Sequence, residues 1–308
     1  MKVTDQRVLV TGGAGFLGSH LVETLLAEGN EVRVVDDLST GNRSWVPDDA
    51  ELVVGDLRDP ETVSAAFTPD RDLVVHLAAD KDAARDDIDQ FRSNTSLTGA
   101  VLEGMDAAGL DRIAFTSSST VYGEAPQPTP EDYAPLEPIS VYGAGKLADE
   151  SLLSVYGHSH GVTVWTVRLA NVVGPRLRGA VVPDFIEKLQ ADPDHLEILG
   201  DGRQAKSYLH VDDFVDAMLH VIEHADGAVN TFNLGTRTTT SVDRIATIVS
   251  EEMGVDPERS YTGGDRGWTG DVPRMRLSVA KLSALGWEAT RSSDEAVRRA
   301  TRELLEEL

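Results

Sequence analysis

Tyr142 and Lys146 stand four residues apart in Tyr142-Gly143-Ala144-Gly145-Lys146. On a helix that spacing puts phenol and ammonium on one face. A free phenol is a poor base near neutrality, with a pKa of about 10. A neighbouring ammonium and the cationic ring of a nicotinamide favour the phenolate, which predicts a pKa lowered toward a useful range. The pair could then take a proton from an alcohol. A hydroxyl to hydrogen-bond the reacting oxygen is available in Thr116-Ser117-Ser118-Ser119-Thr120-Val121-Tyr122-Gly123. Alone, the Tyr-x-x-x-Lys spacing occurs by chance and is more commonly a solvated helix face.

A proton acceptor beside an alcohol becomes a redox site if a dinucleotide lies next to it. Thr11-Gly12-Gly13-Ala14-Gly15-Phe16-Leu17-Gly18 places glycines 12, 15 and 18 between a strand-like and a helix-like segment. Such a turn is tight, lets backbone approach a pyrophosphate, and points the N–H groups of a helix start at the anion. The next apolar run ends at Asp36-Asp37, about 20 residues on, where a carboxylate can accept from a ribose hydroxyl. The charge of Asp36 would repel a 2′-phosphate, so NAD is expected over NADP.

These residues need a frame. Apolar runs at 7–11, 31–35, 52–54, 73–77, 113–116 and 162–167 read as strands. Helical spacing at 16–28, 60–67, 94–108 and 141–159 separates most of them. Strands alternating with helices predict an α/β fold, a doubly wound parallel sheet of the Rossmann type. After Gly174-Pro175 the rhythm weakens, and helices are expected at 182–190, 211–224, 242–253 and from Asp294. The organisation expected is an NAD-binding domain over 1–175 and a smaller C-terminal substrate lobe over 176–308, with some segments returning to the main sheet. Five prolines between Gly123 and Pro138 exclude regular structure there.

Composition bounds the rest. The chain of 308 residues carries 28 basic and 52 acidic residues, a net charge of −24. Nucleic acid and anionic membrane surfaces would be repelled. The acids are spread along the whole chain, a style that suits concentrated salt, where self-repulsion is screened. No apolar run is long enough to span a bilayer, and Met1 to Val10 lacks a signal-peptide layout, so the cytoplasm is the expected location. Cysteine is absent, which removes disulfide and thiolate chemistry. His220 and His224 are four apart on a helix-like stretch without an evident third ligand, so no metal is expected.

The glycine turn, the Tyr-x-x-x-Lys motif and their order resemble the extended short-chain dehydrogenases/reductases, in particular their NAD-dependent nucleotide-sugar epimerase/dehydratase group, over nearly the whole chain. The resemblance implies a cofactor site of Gly12, Gly15, Phe16, Leu17, Gly18 and Asp36. It adds Asp56 and Leu57 beside adenine, Leu77, Ala78 and Ala79 as lining, Asn94 opening a helix, and Tyr142 and Lys146 at the reacting end. Aligned on Val121-Tyr122-Gly123, Ser118 falls at the family's catalytic hydroxyl and Thr120 is expected to reach the sugar. The family usually dimerises through two helices, here 94–108 and 141–159, so a homodimer is implied.

The reaction can be narrowed by the same resemblance. Nucleotide-sugar dehydratases resemble Thr-Asp-Glu before the Val-Tyr-Gly, and UDP-glucuronate decarboxylases carry a Glu there. Ser119 and Thr120 offer no carboxylate, which leaves proton and hydride transfer, and so epimerisation of the UDP-glucose 4-epimerase type. Lys81, five residues after His76, matches a cofactor-contacting lysine of those epimerases, or belongs to a solvated Asp80-Lys81-Asp82 cluster. Asn171 fits the place where an Asn holds the substrate. Lys206 occupies the position of a diphosphate-binding arginine, offering a point charge in place of a planar fork. Arg266 is the expected second phosphate ligand, and Trp268 could stack on a ring. A UDP-sugar is the implied substrate. An epimerase of a UDP-N-acetylhexosamine or UDP-uronate, or a sugar dehydrogenase, is the alternative.

Overall fold

Val8, Leu9 and Val10 are fully buried in succession, which requires cover on both faces of their strand. The computed structural model describes residues 2–81, 85 and 87–307. Its first half runs β1 (Arg7–Thr11), α1 (Phe16–Ala27), β2 (Glu31–Asp36), β3 (Glu51–Val54) and α2 (Pro60–Ala66), then β4 (Leu73–His76), α3 (Ile88–Ala108), β5 (Arg112–Ser118), α4 (Val141–Ser159) and β6 (Thr163–Leu169). The second half runs β7 (Asn171–Val173), α5 (Val181–Ala191), β8 (His195–Ile198), β9 (Ala205–Lys206), β10 (Tyr208–His210) and α6 (Val211–His224). It continues with β11 (Val229–Leu234), β12 (Thr240–Ser241), α7 (Val242–Met253), β13 (Glu258–Tyr261), β14 (Arg274–Met275), α8 (Ala280–Ala284) and α9 (Ser293–Glu307).

Seven strands form one parallel sheet in the order β11-β6-β5-β4-β1-β2-β3. Side chains alternate across it. Val8 and Val10 join a core with Leu21, Val22 and Leu25 of α1 and Phe214 and Met218 of α6. Leu9 points the other way, toward Val101, Leu102 and Met105 of α3 and Leu153 of α4. Because β1 lies between β2 and β4, successive crossovers leave it in opposite directions, opening a crevice beyond its carboxyl end. A third core gathers Phe185, Ile186, Leu196, Ile245, Val249, Val297 and Leu304 from α5, β8, α7 and α9.

Two readings of the sequence change. The named series of strands lacked β11, one of the later segments expected to return to the main sheet, which pairs in parallel with residues 164–169 of β6. The helix expected to open at Asn94 begins earlier, at Ile88, because the Asp87 carboxylate accepts from the Gln90 N–H and caps it. Between Gly123 and Pro138 the proline-rich segment holds no helix or strand beyond one bridge, Thr129 to Leu277. No described helix is long and apolar enough to cross a membrane.

Candidate active site

The glycine turn is built by contact. Gly12 has φ +70°, and a Cβ there would lie 2.7 Å from the Ala78 backbone nitrogen. A Cβ at Gly18 would lie 2.2 Å from the Gly12 carbonyl oxygen, so α1 can close onto the turn only without a side chain. Gly15 is the N-cap of α1 and brings no capping side chain, leaving the helix start open toward an anion. Beside the turn, Leu77 N–H donates to the Thr11 carbonyl (3.1 Å) and Ala78 N–H to the Thr11 hydroxyl (3.3 Å). The β4 end, with Leu77, Ala78 and Ala79, thus lines one wall, and Phe16 and Leu17 form the first turn of α1 on the other.

Asp36 ends β2 at the same crevice. Its carboxylate accepts from Ala14 N–H and Leu38 N–H, both at 2.9 Å. Burial pushes its pKa up, and those two donors pull against the rise. Each oxygen keeps a lone pair for a ribose hydroxyl. Asp56 lies further along and is clasped by Arg58, whose guanidinium holds its pKa down, while its neighbour Leu57 is buried. The uncapped helix start, the side-chain-free turn and the acid at the end of β2 fit a dinucleotide carrying a free ribose 2′-hydroxyl.

Ser140 caps α4 by accepting from Gly143 N–H at 3.1 Å, and so fixes the first turn that carries Tyr142. Gly143 lets that turn reach the loop after β5, since a Cβ would come 2.8 Å from the Thr120 carbonyl oxygen. One turn on, the Lys146 ammonium donates to the Thr116 carbonyl at 2.9 Å and stands 4.5 Å from the Phe115 ring centre and 5.9 Å from that of Tyr142. Ser118 Oγ accepts from both the N–H (3.2 Å) and the hydroxyl (2.9 Å) of Thr120. Its own proton is then directed elsewhere, which suits donation to a substrate oxygen. Tyr142, Lys146, Ser118 and Thr120 are therefore gathered at the carboxyl end of β5.

The electrostatics of the polypeptide alone supply only part of what the lowered phenol pKa was expected to need. The Tyr142 phenol is pushed up to about 12, first by burial and then by the charges of Asp149 and Asp80. Lys146 is drawn below the usual lysine range by burial, with Asp149 and Glu150 opposing the fall. The protein alone thus keeps Tyr142 protonated, because desolvation of the phenolate outweighs the ammonium 5.9 Å from its ring.

Other expected residues take different places. Asn94 lies within α3; its amide donates to the Asp80 carbonyl (3.0 Å) and its oxygen accepts from Asp80 N–H (2.7 Å). It pins the segment after β4. Lys81 is exposed at the end of that segment, and Asp82 lies outside the described residues. Asn171 is hydrogen-bonded to the buried Tyr208. Lys206 pairs with Asp271 at 2.5 Å and stands 4.9 Å from the Trp268 ring centre. Arg266 donates to the Asp271 carbonyl (2.7 Å) and to Glu124 (2.8 Å). The two cations expected to bind phosphate are thus brought together, but around an internal acid. Their loop reaches the chemistry, since Gly270 packs on Ile139 and Ser140 just before α4. His220 and His224 stack at 4.0 Å, and their Nε2 and Nδ1 meet the carbonyls of Leu285 and His220. Among the described residues no group of acids and histidines could hold a metal.

Sequence reasoning missed Asp149, 2% exposed beside Lys146. The available signal was a carboxylate on the face of α4 that Gly145, Lys146 and Leu153 bury.

Comparison with known proteins decides the family. The sequence model described as "NAD dependent epimerase/dehydratase family" matches residues 8–235. The chain belongs to that family. It is an NAD-dependent enzyme. A UDP-glucose 4-epimerase of Mycolicibacterium smegmatis is 36% identical over 299 residues, covering 92% of this chain and 93% of the relative. A crystal structure of a UDP-galactose 4-epimerase is 43% identical with a TM-score of 0.89, covering 98% of this chain and 99% of the other. The UDP-glucose 4-epimerase of Thermus thermophilus, solved in complex with NAD, is 36% identical with a TM-score of 0.86, over 96% and 98% of the two chains.

Proposed function

We propose that this enzyme inverts C4 of a UDP-hexose, interconverting UDP-glucose and UDP-galactose through a transient 4-keto sugar. The observation that carries the reading is the gathering of Tyr142, Lys146 and Ser118 at the end of β5 with Ser119 and Thr120 as the following residues. A proton can be moved there, but positions 119 and 120 offer no carboxylate to drive elimination or decarboxylation. NAD would be held by the turn of Gly12, Gly15, Phe16, Leu17 and Gly18, by Asp36, Asp56 and Leu57, and by Leu77, Ala78, Ala79 and Lys81, with Asn94 fixing that last segment. Bound there, it supplies a reversible hydride acceptor.

Tyr142 takes the proton of the C4 hydroxyl and later returns it, while Ser118 holds the same oxygen by a hydrogen bond. Thr120 orients Ser118 and borders the sugar. Lys206, Arg266 and Asn171 face the UDP moiety, with Lys206 exchanging Asp271 for a phosphate oxygen. A cation shared with an internal acid neutralises phosphate less strongly than a free one, so UDP affinity should be modest.

The direct test is incubation of UDP-glucose, UDP-galactose, UDP-N-acetylglucosamine and UDP-glucuronate with purified protein, with and without added NAD, followed by product chromatography. Interconversion of the first pair without net NADH supports the reading. Epimerisation of only an N-acetylated or uronate substrate would replace it, and net NADH accumulation would mean a dehydrogenase.

The surface suits two further expectations. Leu152 and Val155 of α4 are 39% and 50% exposed, which favours a homodimer closed over α3 and α4. The −24 charge favours work in the concentrated salt of a halophile's cytoplasm. Molar potassium chloride should raise the melting temperature above its value in dilute buffer, and a falling value would count against salt adaptation.

A further inference from the structure

Asp149 has no part in the proton transfer, yet it is 2% exposed and three residues beyond Lys146 on the buried face of α4. A carboxylate is tolerated in such a place only with partners. Thr98, from α3, hydrogen-bonds it. The Lys146 ammonium, three residues back on the same buried face and not in direct ion-pair contact, is the opposite charge that draws the Asp149 pKa down while burial pushes it up to about 6, so the carboxylate is ionised at neutral pH. The contacts continue inward. Thr98 Oγ1 lies 3.2 Å from His76 Nε2, and His76 Nδ1 lies 2.7 Å from Thr11 Oγ1, which accepts from Ala78 N–H at 3.3 Å. Thr11, His76 and Thr98 are no more than 1% exposed.

An ionised Asp149 dictates the sense of every bond in that chain. The carboxylate only accepts, so the Thr98 hydroxyl donates to it. Thr98 must then accept from His76 Nε2–H, which leaves Nδ1 bare to accept from the Thr11 hydroxyl. His76 stays neutral throughout, because burial and then the Lys146 ammonium hold its pKa down to about 3. The chain ends at the last residue of β1, next to Gly12. One line of directed hydrogen bonds therefore joins the dinucleotide turn to the neighbour of the reacting lysine.

We propose that Asp149 is the buried counter-ion of Lys146, held in place through Thr98 and His76 by the strand that carries the glycine turn. It is a positioning residue that acts through Lys146, and the assignment rests on the reading of Tyr142 and Lys146 as the reacting pair.

The charged and polar groups around the pair come from every neighbouring element. From α4 come Tyr142 and Glu150, the latter held by Arg168 of β6. Thr98 comes from α3, His76 from β4, and the Thr116 carbonyl and Phe115 ring from β5. Asp80, after β4, acts on Tyr142. Of these, Asp149 is the leading charge that supports the ammonium of Lys146 and also the leading charge that opposes the phenolate of Tyr142. Removing it should lower both pKa values together.

The test is Asp149→Asn in the NAD-loaded enzyme, read by NMR of labelled lysine side chains. The chain has only six lysines, so Lys146 is assigned by the signal lost in Lys146→Gln. The expected result is a Lys146 transition about one pH unit lower, the small end of a neighbouring-charge effect. Both limbs of the epimerase pH profile should move to acid with it. An unmoved Lys146 transition overturns the proposal. Because that readout needs no turnover, it stands apart from whether the enzyme epimerises UDP-glucose. Should Asp149→Asn not fold, Thr98→Val and Thr98→Ser replace it. A lowered transition in the valine variant, restored by serine, supports the counter-ion, and no shift in either overturns it.

Discussion

Arg168 and Glu150 form a buried, two-pronged ion pair, with Nε and Nη2 of the arginine 3.0 and 2.7 Å from the two carboxylate oxygens. The side chains are 7% and 9% exposed, and the same guanidinium donates to the Tyr122 hydroxyl at 2.8 Å. The pair ties the middle of α4, one turn beyond Lys146, to β6. Breaking it strands a charge in a dry place. Arg168→Met should lower stability by about 3–5 kcal/mol. Urea unfolding at fixed salt checks this, and a loss under about 1 kcal/mol would mean that the pair is dispensable.

Tyr142→Phe removes the proton acceptor and little else. Turnover should fall by about 10²–10⁴-fold, the usual worth of general acid–base catalysis. The NAD content of the purified variant, measured after acid release, should match the parent. Parental turnover in this variant would exclude Tyr142 as the base.

The phenol of Tyr142 sits at about 12 in the protein alone. A raised phenol pKa means that the neutral form is favoured up to that pH, so any working phenolate must be stabilised by a bound cation. Ultraviolet difference titration of parent against Tyr142→Phe should place the tyrosinate transition near 12 without cofactor and clearly lower with NAD bound. Identical transitions in both states would remove the cofactor from the tuning of this base.

Gly18→Ala puts a methyl group where only 2.2 Å separates it from the Gly12 carbonyl oxygen. Backbone cannot yield as a flexible side chain would, so α1 must shift away from the turn. Bound NAD should be lost while the far-ultraviolet dichroism keeps its shape, and isothermal titration with NAD would show any affinity that survives.

Much of the frame was legible because it depends on local periodicity. Helices over Val141–Ser159 and Val211–His224 follow from apolar spacing, and the glycine turn from types that contact enforces. What was not legible depends on partners distant in sequence. Asn94 looked like a helix opener, but Asp87 caps α3, and the Asn94 amide spends both its groups on Asp80. Lys206 was legible as a cation, but nothing local says that Asp271, 65 residues away, shares its charge. The lowered phenol pKa was expected from the ammonium and a cationic nicotinamide together, and nothing local says that in the polypeptide alone burial acts in the opposite sense. Asp149 was passed over because nothing local says that its neighbours are Thr98 and Lys146.

The pairing of β11 with β6 reaches beyond the active site. Strand β6 is buried at five consecutive positions, and one of its two hydrogen-bonding edges is filled only by residues 229–234. A ribosome that has released the first 175 residues has therefore made every residue proposed above to hold the dinucleotide but not the strand that closes the sheet. Until the chain reaches Leu234, that edge offers unpaired backbone to any other extended segment, including another nascent copy. The order of synthesis leaves the nucleotide half aggregation-prone for about 60 residues of elongation, some seconds at ordinary ribosomal speed.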